Sequence, residues 1–142
     1  MLQTPAHPAA ALDAAVTLDH ERLDAYVVAL AFQSLAARLA QRLSGPFRDQ
    51  LERASLSIVL NLAEGVGRTQ PADKARYYAI ARGSACECAA LVDVLRARRL
   101  TDEALCAEAR GLLVRVVQMT TRLEQAMARR RERLSAAGRT AG

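Results

Sequence analysis

From Leu105 to Ala126 the chain sets an apolar residue at alternating steps of four and three: Leu105, Ala109, Leu112, Val116, Met119, Leu123 and Ala126. A strand would need a period of two, so this run is a helix. A seam sustained over three heptads also requires other helices to pack against. The residues available to fill such a core agree. Hydrophobic residues make up 51% of the chain, but aromatics only 4%, with no Trp. The core must therefore be built from Ala, Leu and Val, and Ala and Leu are strong helix formers and poor strand formers.

At 142 residues the chain has the length of one domain. Residues 1–18 are rich in Ala and Pro, including Pro5 and Pro8, and read as a flexible extension. A first helix is expected over about 20–43, starting near Asp19 or Glu21. Leu23, Val27, Leu30, Leu35, Leu39 and Leu43 would supply its apolar positions. Gly45 then stops the chain and Pro46 restarts it, the order expected of a C-cap followed by a new N-terminus. The second helix covers about 46–64 and ends at Gly65 and Gly67. The third covers about 71–98, with a core line of Tyr77 or Tyr78, Ala81, Ala85, Cys88, Leu91 or Val92, and Leu95. Gly83 costs about 1 kcal/mol in a helix interior relative to Ala, which suggests a second backbone close by. The fourth helix spans about 102–131, with Thr101 as N-cap, and residues 132–142 form a flexible Arg-containing tail. Short connections force consecutive helices to be antiparallel neighbours. The fold class predicted is all-α, an antiparallel up-down-up-down four-helix bundle over residues 19–131.

The second helix carries more apolar surface than an outer helix of a monomer needs. Arg53, Ser57, Asn61 and Glu64 fall within roughly 80° of one another, while the apolar residues spread over roughly 240°. Contacts beyond the bundle's own core are implied, and Leu56 and Leu60 are the candidate subunit-interface residues. The polar stripe has two readings. It is either a structural network, pairing Arg53, Asn61 and Glu64 with each other, with loop backbone or with Glu87, or a ligand-binding groove.

Little in the chain suggests catalysis. The only histidines, His7 and His20, lie in or beside the N-terminal extension. There is no Glu-x-x-His pair for a di-iron bundle, no phosphate-cradling glycine loop after a strand, and no nucleophile beside a His base. No catalytic residue, cofactor or metal site is expected. Cys86, Cys88 and Cys106 read as buried, inert thiols. With no apolar run of about 20 residues and no evident signal peptide, a cytoplasmic protein without membrane association is expected.

The net charge of +5 is unevenly spread. From residue 129 onward there are five arginines, Arg129, Arg130, Arg131, Arg133 and Arg139, against one acid, Glu132. Removing these from the chain's 20 basic and 15 acidic residues leaves 15 and 14. The basicity thus reads as a property of the tail. Arg129, Arg130, Arg131 and Arg133 are the candidate nucleic-acid-binding residues, either as a phosphate-binding arm or as a solvated helix end. No aromatic stacking platform accompanies them, so base-specific reading is not indicated.

The stretch 50–65, QLERASLSIVLNLAEG, and the stretch 77–87, YYAIARGSACE, together resemble a known family. It is the four-helix bundle family of proteins encoded in 23S ribosomal RNA intervening sequences, to which the accessory variability determinant of diversity-generating retroelements is related. The similarity covers roughly residues 19–129, and Arg53, Asn61, Glu64, Gly65, Gly83, Ser84 and Glu87 match its motif. The resemblance implies a four-helix bundle and a ring-shaped homopentamer, with these residues acting as fold and assembly determinants. For the retroelement relatives it also implies a basic surface that engages RNA and a nucleic-acid-processing protein, whereas the body of this bundle is nearly neutral. The function expected is a non-enzymatic homo-oligomer binding RNA or an RNA–protein complex through Arg-rich edges. The alternative is a protein–protein scaffold with no nucleic-acid role.

Overall fold

Breaks at 41–44, 68–70 and 98–102 divide the chain into four α-helices, seen in a computed structural model that describes residues 18–142. They are α1 (Asp24–Ala40), α2 (Gly45–Gly67), α3 (Pro71–Ala97) and α4 (Glu103–Thr140), preceded by a short 3-10 turn at Asp19–Arg22. Helix α1 packs on α2 and α4, and α3 packs on the same two, so the helices occupy the corners of a square in chain order. The fold is the antiparallel up-down-up-down bundle that the periodicity predicts. The extension expected over 1–18 lies outside the described residues, apart from Leu18.

Local chemistry sets each break. Gly45 takes φ +59°, a left-handed conformation that Gly tolerates without strain, and Pro46 sits in the first turn of α2. Helix α3 ends with Arg99 at φ 55°. The Leu100 N–H donates to the Leu95 carbonyl (2.9 Å) and the Arg99 N–H to that of Arg96 (3.0 Å). These paired bonds satisfy carbonyls that the helix itself leaves open. The N-cap of α4 is Asp102, not Thr101, and its carboxylate accepts from the Leu105 N–H at 2.8 Å.

The core runs the length of the square, with Phe32, Leu51, Ile58, Leu62, Leu95, Leu113 and Val116 fully buried. On α3 the open alternatives resolve to Tyr78 and Val92, giving the line Tyr78, Ala81, Ala85, Cys88, Val92 and Leu95. On α1 the phase differs from the sequence reading. Val27 and Leu30 are exposed, and Ala25, Val28, Ala29, Phe32, Leu35, Ala36 and Leu39 face inward. On α4 the buried line is Cys106, Ala109, Leu113, Val116 and Thr120, while Leu105, Leu112, Met119 and Leu123 flank it half-covered. Thr120 is admitted because its hydroxyl donates to the Val116 carbonyl at 2.8 Å.

Two further corrections concern small residues. Gly65, at the end of α2, lies against α3: a Cβ there would stand 2.8 Å from Tyr78 Cε1 and 3.1 Å from Tyr77 Cβ. Gly83 shows the reverse, with nothing within 4 Å, so no backbone of the same chain approaches it. The Gly65→Ala variant is expected to be less stable by about 1–3 kcal/mol in urea denaturation, the usual cost of overpacking. An unchanged midpoint would show that Tyr78 swings clear.

Cys88 and Cys106 are buried, but Cys86 is exposed, contrary to the expectation of three buried thiols. Burial, reinforced by the neighbouring Glu87 carboxylate, pushes the Cys88 thiol up to about 12, and burial also raises that of Cys106. A thiol held above its ordinary range stays protonated and unreactive. Iodoacetamide at pH 8 is therefore expected to label Cys86 alone in the folded protein and all three thiols in urea. Mass spectrometry of labelled peptides checks this; native labelling of Cys88 would contradict it.

Candidate nucleic-acid interface

Helices α2 and α3 meet along a polar seam outside the core. The Arg53 guanidinium donates to the Glu87 carboxylate on α3 at 2.6 Å and to the Gln50 amide oxygen at 2.6 Å. About one helical turn further along α2, the Ser57 and Ser84 hydroxyls are 2.8 Å apart, and the Asn61 amide donates to Ser57's carbonyl (2.8 Å) and hydroxyl (3.1 Å). Next along, Arg68 donates to Glu64 at 2.6 Å and to the Tyr77 hydroxyl at 2.8 Å, with its guanidinium 4.9 Å from the Tyr77 ring centre. Arg53, Asn61, Glu64, Ser84 and Glu87 thus all lie on one seam, and Gly65 closes its end. Gly83 alone among the motif residues points away into open space. Each charge on the seam, Arg53, Glu64, Arg68 and Glu87, already has a partner.

One group of arginines without an ion pair among the described residues lies at the end of the bundle where α1 begins and α2 turns into α3. Here α4 does not stop at 131 with a flexible tail beyond it: the helix continues to Thr140. Met127 is the last residue of α4 that packs against the core, and residues 128–140 are exposed on every side. At 1.5 Å per residue this segment projects about 20 Å. It carries Arg129, Arg130, Arg131 and Arg133, none with an ion pair among the described residues.

The base of this projection meets the start of α1 in a cleft of about 480 Å³. Leu23, Ala25, Met119, Leu123 and Ala126 give it an apolar lining, and Arg22, Arg122 and Arg129 line it beside one carboxylate, Asp24. Arg22 and Arg122 likewise have no ion pair among the described residues. Close by, Lys74 donates to the Val66 carbonyl at 2.6 Å and that of Gly65 at 3.3 Å, closing the C-terminal end of α2. Burial lowers the Lys74 pKa, and the positive charge of Arg130 lowers it further. Basic groups from the 3-10 turn, α3 and α4 are brought together here, with the Asp19 and Asp24 carboxylates close by. Such a concentration persists only because water solvates it, and it favours any polyanion that replaces that water.

At the waist, Arg53 is held by Glu87 and Arg82 by Glu124 (2.7 Å). The opposite end has Arg38, Arg42, Arg98 and Arg99, of which Arg98 lies 5.0 Å above the Phe47 ring. The sequence reading placed the basicity in the tail and passed over Arg22 and Arg122. One signal was available: Arg122 precedes Arg129 by seven residues, so the two share a helix face. Arg22 had none, since it reaches the cleft only through the fold.

Among the described residues no three or more His, Cys, Asp or Glu side chains gather into a group able to hold a metal ion. No helix among them is long and apolar enough to cross a membrane. No curated protein matches the chain. The family of 23S rRNA-intervening sequence proteins matches it over residues 22–122, and the chain belongs to that family.

Proposed function

We propose that this protein is a non-enzymatic, self-associating helical bundle that binds RNA, or an RNA–protein complex, through its α4 pole. One observation carries the reading. Arg22, Arg122 and Arg129 surround one cleft, continue onto Arg130, Arg131 and Arg133, and have no carboxylate partner among the described residues. Family membership supports an rRNA-related role. Guanidinium groups suit phosphate, which they grip in a planar fork. The absence of stacked aromatic side chains among them favours contact with the backbone rather than reading of bases. Self-association rests on the exposed Leu56 and Leu60 of α2.

The test is fluorescence anisotropy with a labelled single-stranded RNA, using nuclease-treated protein over a range of salt. Phosphate contacts give a log–log slope of about −0.7 per contact. Arg22, Arg122 and the four arginines of the projection would together give a slope near −4. Binding that ignores salt, or no binding at low salt, would overturn the RNA reading. In that case the exposed leucines leave a protein–protein scaffold as the reading to pursue.

A further inference from the structure

The cleft at the base of the α4 projection mixes two kinds of surface that a phosphate backbone alone would not use. Leu23, Met119 and Leu123 offer an apolar lining, and beside it stand Arg22, Arg122, Arg129 and the carboxylate of Asp24. Asp24 lines the same cleft as these guanidinium groups, yet it forms no ion pair with them. Acid and bases are therefore held apart, and all of them are exposed. A volume of about 480 Å³ falls inside the roughly 300–1,000 Å³ of sites that enclose one small molecule. The ligand that satisfies this lining has an apolar face, one anionic group, and neutral hydroxyl donors set away from that anion.

A nucleotide has those three parts, but its place in a strand decides whether they can be used together. Inside a strand each ribose carries a phosphate on both sides, so one of the two must lie against Asp24. A 5′ end keeps its 3′-phosphate beside the 2′-hydroxyl, and a carboxylate approaching that hydroxyl would meet the phosphate. Only at a 3′ end does the ribose have a phosphate on its 5′ side alone, with the adjacent 2′- and 3′-hydroxyls both free. Two neighbouring O–H donors match the two acceptor oxygens of a carboxylate. Acidic side chains select ribose in dinucleotide sites by the same bond. Guanidinium groups grip the 5′-side phosphate in a planar fork, and the base covers the apolar lining. That lining has no aromatic ring to stack on, so no particular base is selected.

We propose that this cleft holds the 3′-terminal nucleotide of an RNA strand, with Asp24 accepting from its two ribose hydroxyls and Arg22, Arg122 and Arg129 on its phosphate. This rests on the RNA reading above and narrows it from strands in general to strand ends. The preceding phosphates run outward past Arg130, Arg131 and Arg133, and Arg139 lies about 15 Å beyond Arg129 along the same helix. A strand followed inward along the arm meets the body of the bundle at the cleft, where Leu23, Met119 and Leu123 pack against the core. It must end or turn aside there, and a terminus needs no further path. The 2′-hydroxyl also separates RNA from DNA. A DNA strand would occupy the arginines and leave Asp24 one donor short.

The test is fluorescence anisotropy with full-length, nuclease-treated protein and short single-stranded RNAs of one sequence, labelled at the 5′ end and differing only in the last ribose. One ends in the free 2′,3′-diol, one lacks the terminal 2′-hydroxyl, and one carries a 3′-phosphate. The diol probe is expected to bind about tenfold more tightly than the 2′-deoxy probe, the worth of a hydrogen bond to a charged group. The 3′-phosphate probe should bind no better than the 2′-deoxy one. Because the hydroxyl is uncharged, the tenfold ratio should hold as salt rises while each affinity falls. In Asp24→Ala, an exposed first-turn substitution whose folding circular dichroism verifies, the ratio should vanish. Equal binding of the three probes by the parent, or a ratio that survives in Asp24→Ala, would overturn the proposal and leave the RNA reading standing. Binding of none of them would overturn both.

Discussion

Replacing Arg129, Arg130, Arg131 and Arg133 together with Ala is expected to weaken RNA binding by about 200-fold at 0.15 M salt. The figure follows if each arginine makes one phosphate contact, since a contact with exponent about 0.7 is worth roughly 0.6 of a decade at that salt. The slope of log affinity against log salt should flatten by about 2.8 at the same time. Ala is the strongest helix former, so α4 keeps its length and the loss is one of charge alone. A matched control replaces Arg38 and Arg42 at the opposite end, where the affinity should be unchanged. Equal losses from the two variants would mean that net charge, not the α4 pole, governs binding.

The second large effect is on stability. Phe32 lies at the centre of α1 and is the largest fully buried side chain. Its neighbours in the buried cluster are mainly Ala, Leu and Val, with backbones held close together by small residues. A core of this kind has little freedom to collapse around a void. Phe32→Ala is expected to cost about 3–5 kcal/mol. For a chain of this size the midpoint of thermal unfolding should fall by roughly 10–15 °C. Differential scanning calorimetry reads both, and a fall of only a few degrees would mean that the helices close over the gap.

Phe32 also shows where the sequence was hard to read. A helix rich in Ala and Leu offers apolar residues on nearly every side, so more than one face qualifies as the core. On α1 the expected line holds at Leu35 and Leu39, which are buried, and fails at Val27 and Leu30, where Val28 and Phe32 face inward instead. On α4 the expected seam holds at Ala109 and Val116, but at Leu105, Leu112 and Met119 the buried residue is the next one, Cys106, Leu113 and Thr120, about 100° round the helix. Helix α3 was easier because its polar residues are frequent enough to leave one continuous apolar line. The helices themselves were legible throughout, since Gly45–Pro46, Gly67 and Pro71 punctuate the chain strongly.

The candidate site was legible only in part, for a different reason. Arg129 to Arg133 stand out as a run, whereas Arg22 and Arg122 stand among acids and apolar residues. Their meaning depends on the antiparallel arrangement of α1 and α4, which sets the residues just before α1 beside the sixth turn of α4. A charge count along the chain averages over such a meeting.

The continuation of α4 to Thr140 changes what binding would demand of the arginines it carries. On a loose tail each residue would give up about 1–2 kcal/mol of backbone freedom on engaging a ligand. On a helix that loss has already been met during folding, and neighbouring charges keep set separations. The arm would then act as a ruler rather than a net, favouring strands whose phosphates fall at its own intervals and losing that discrimination if a proline were placed at its base.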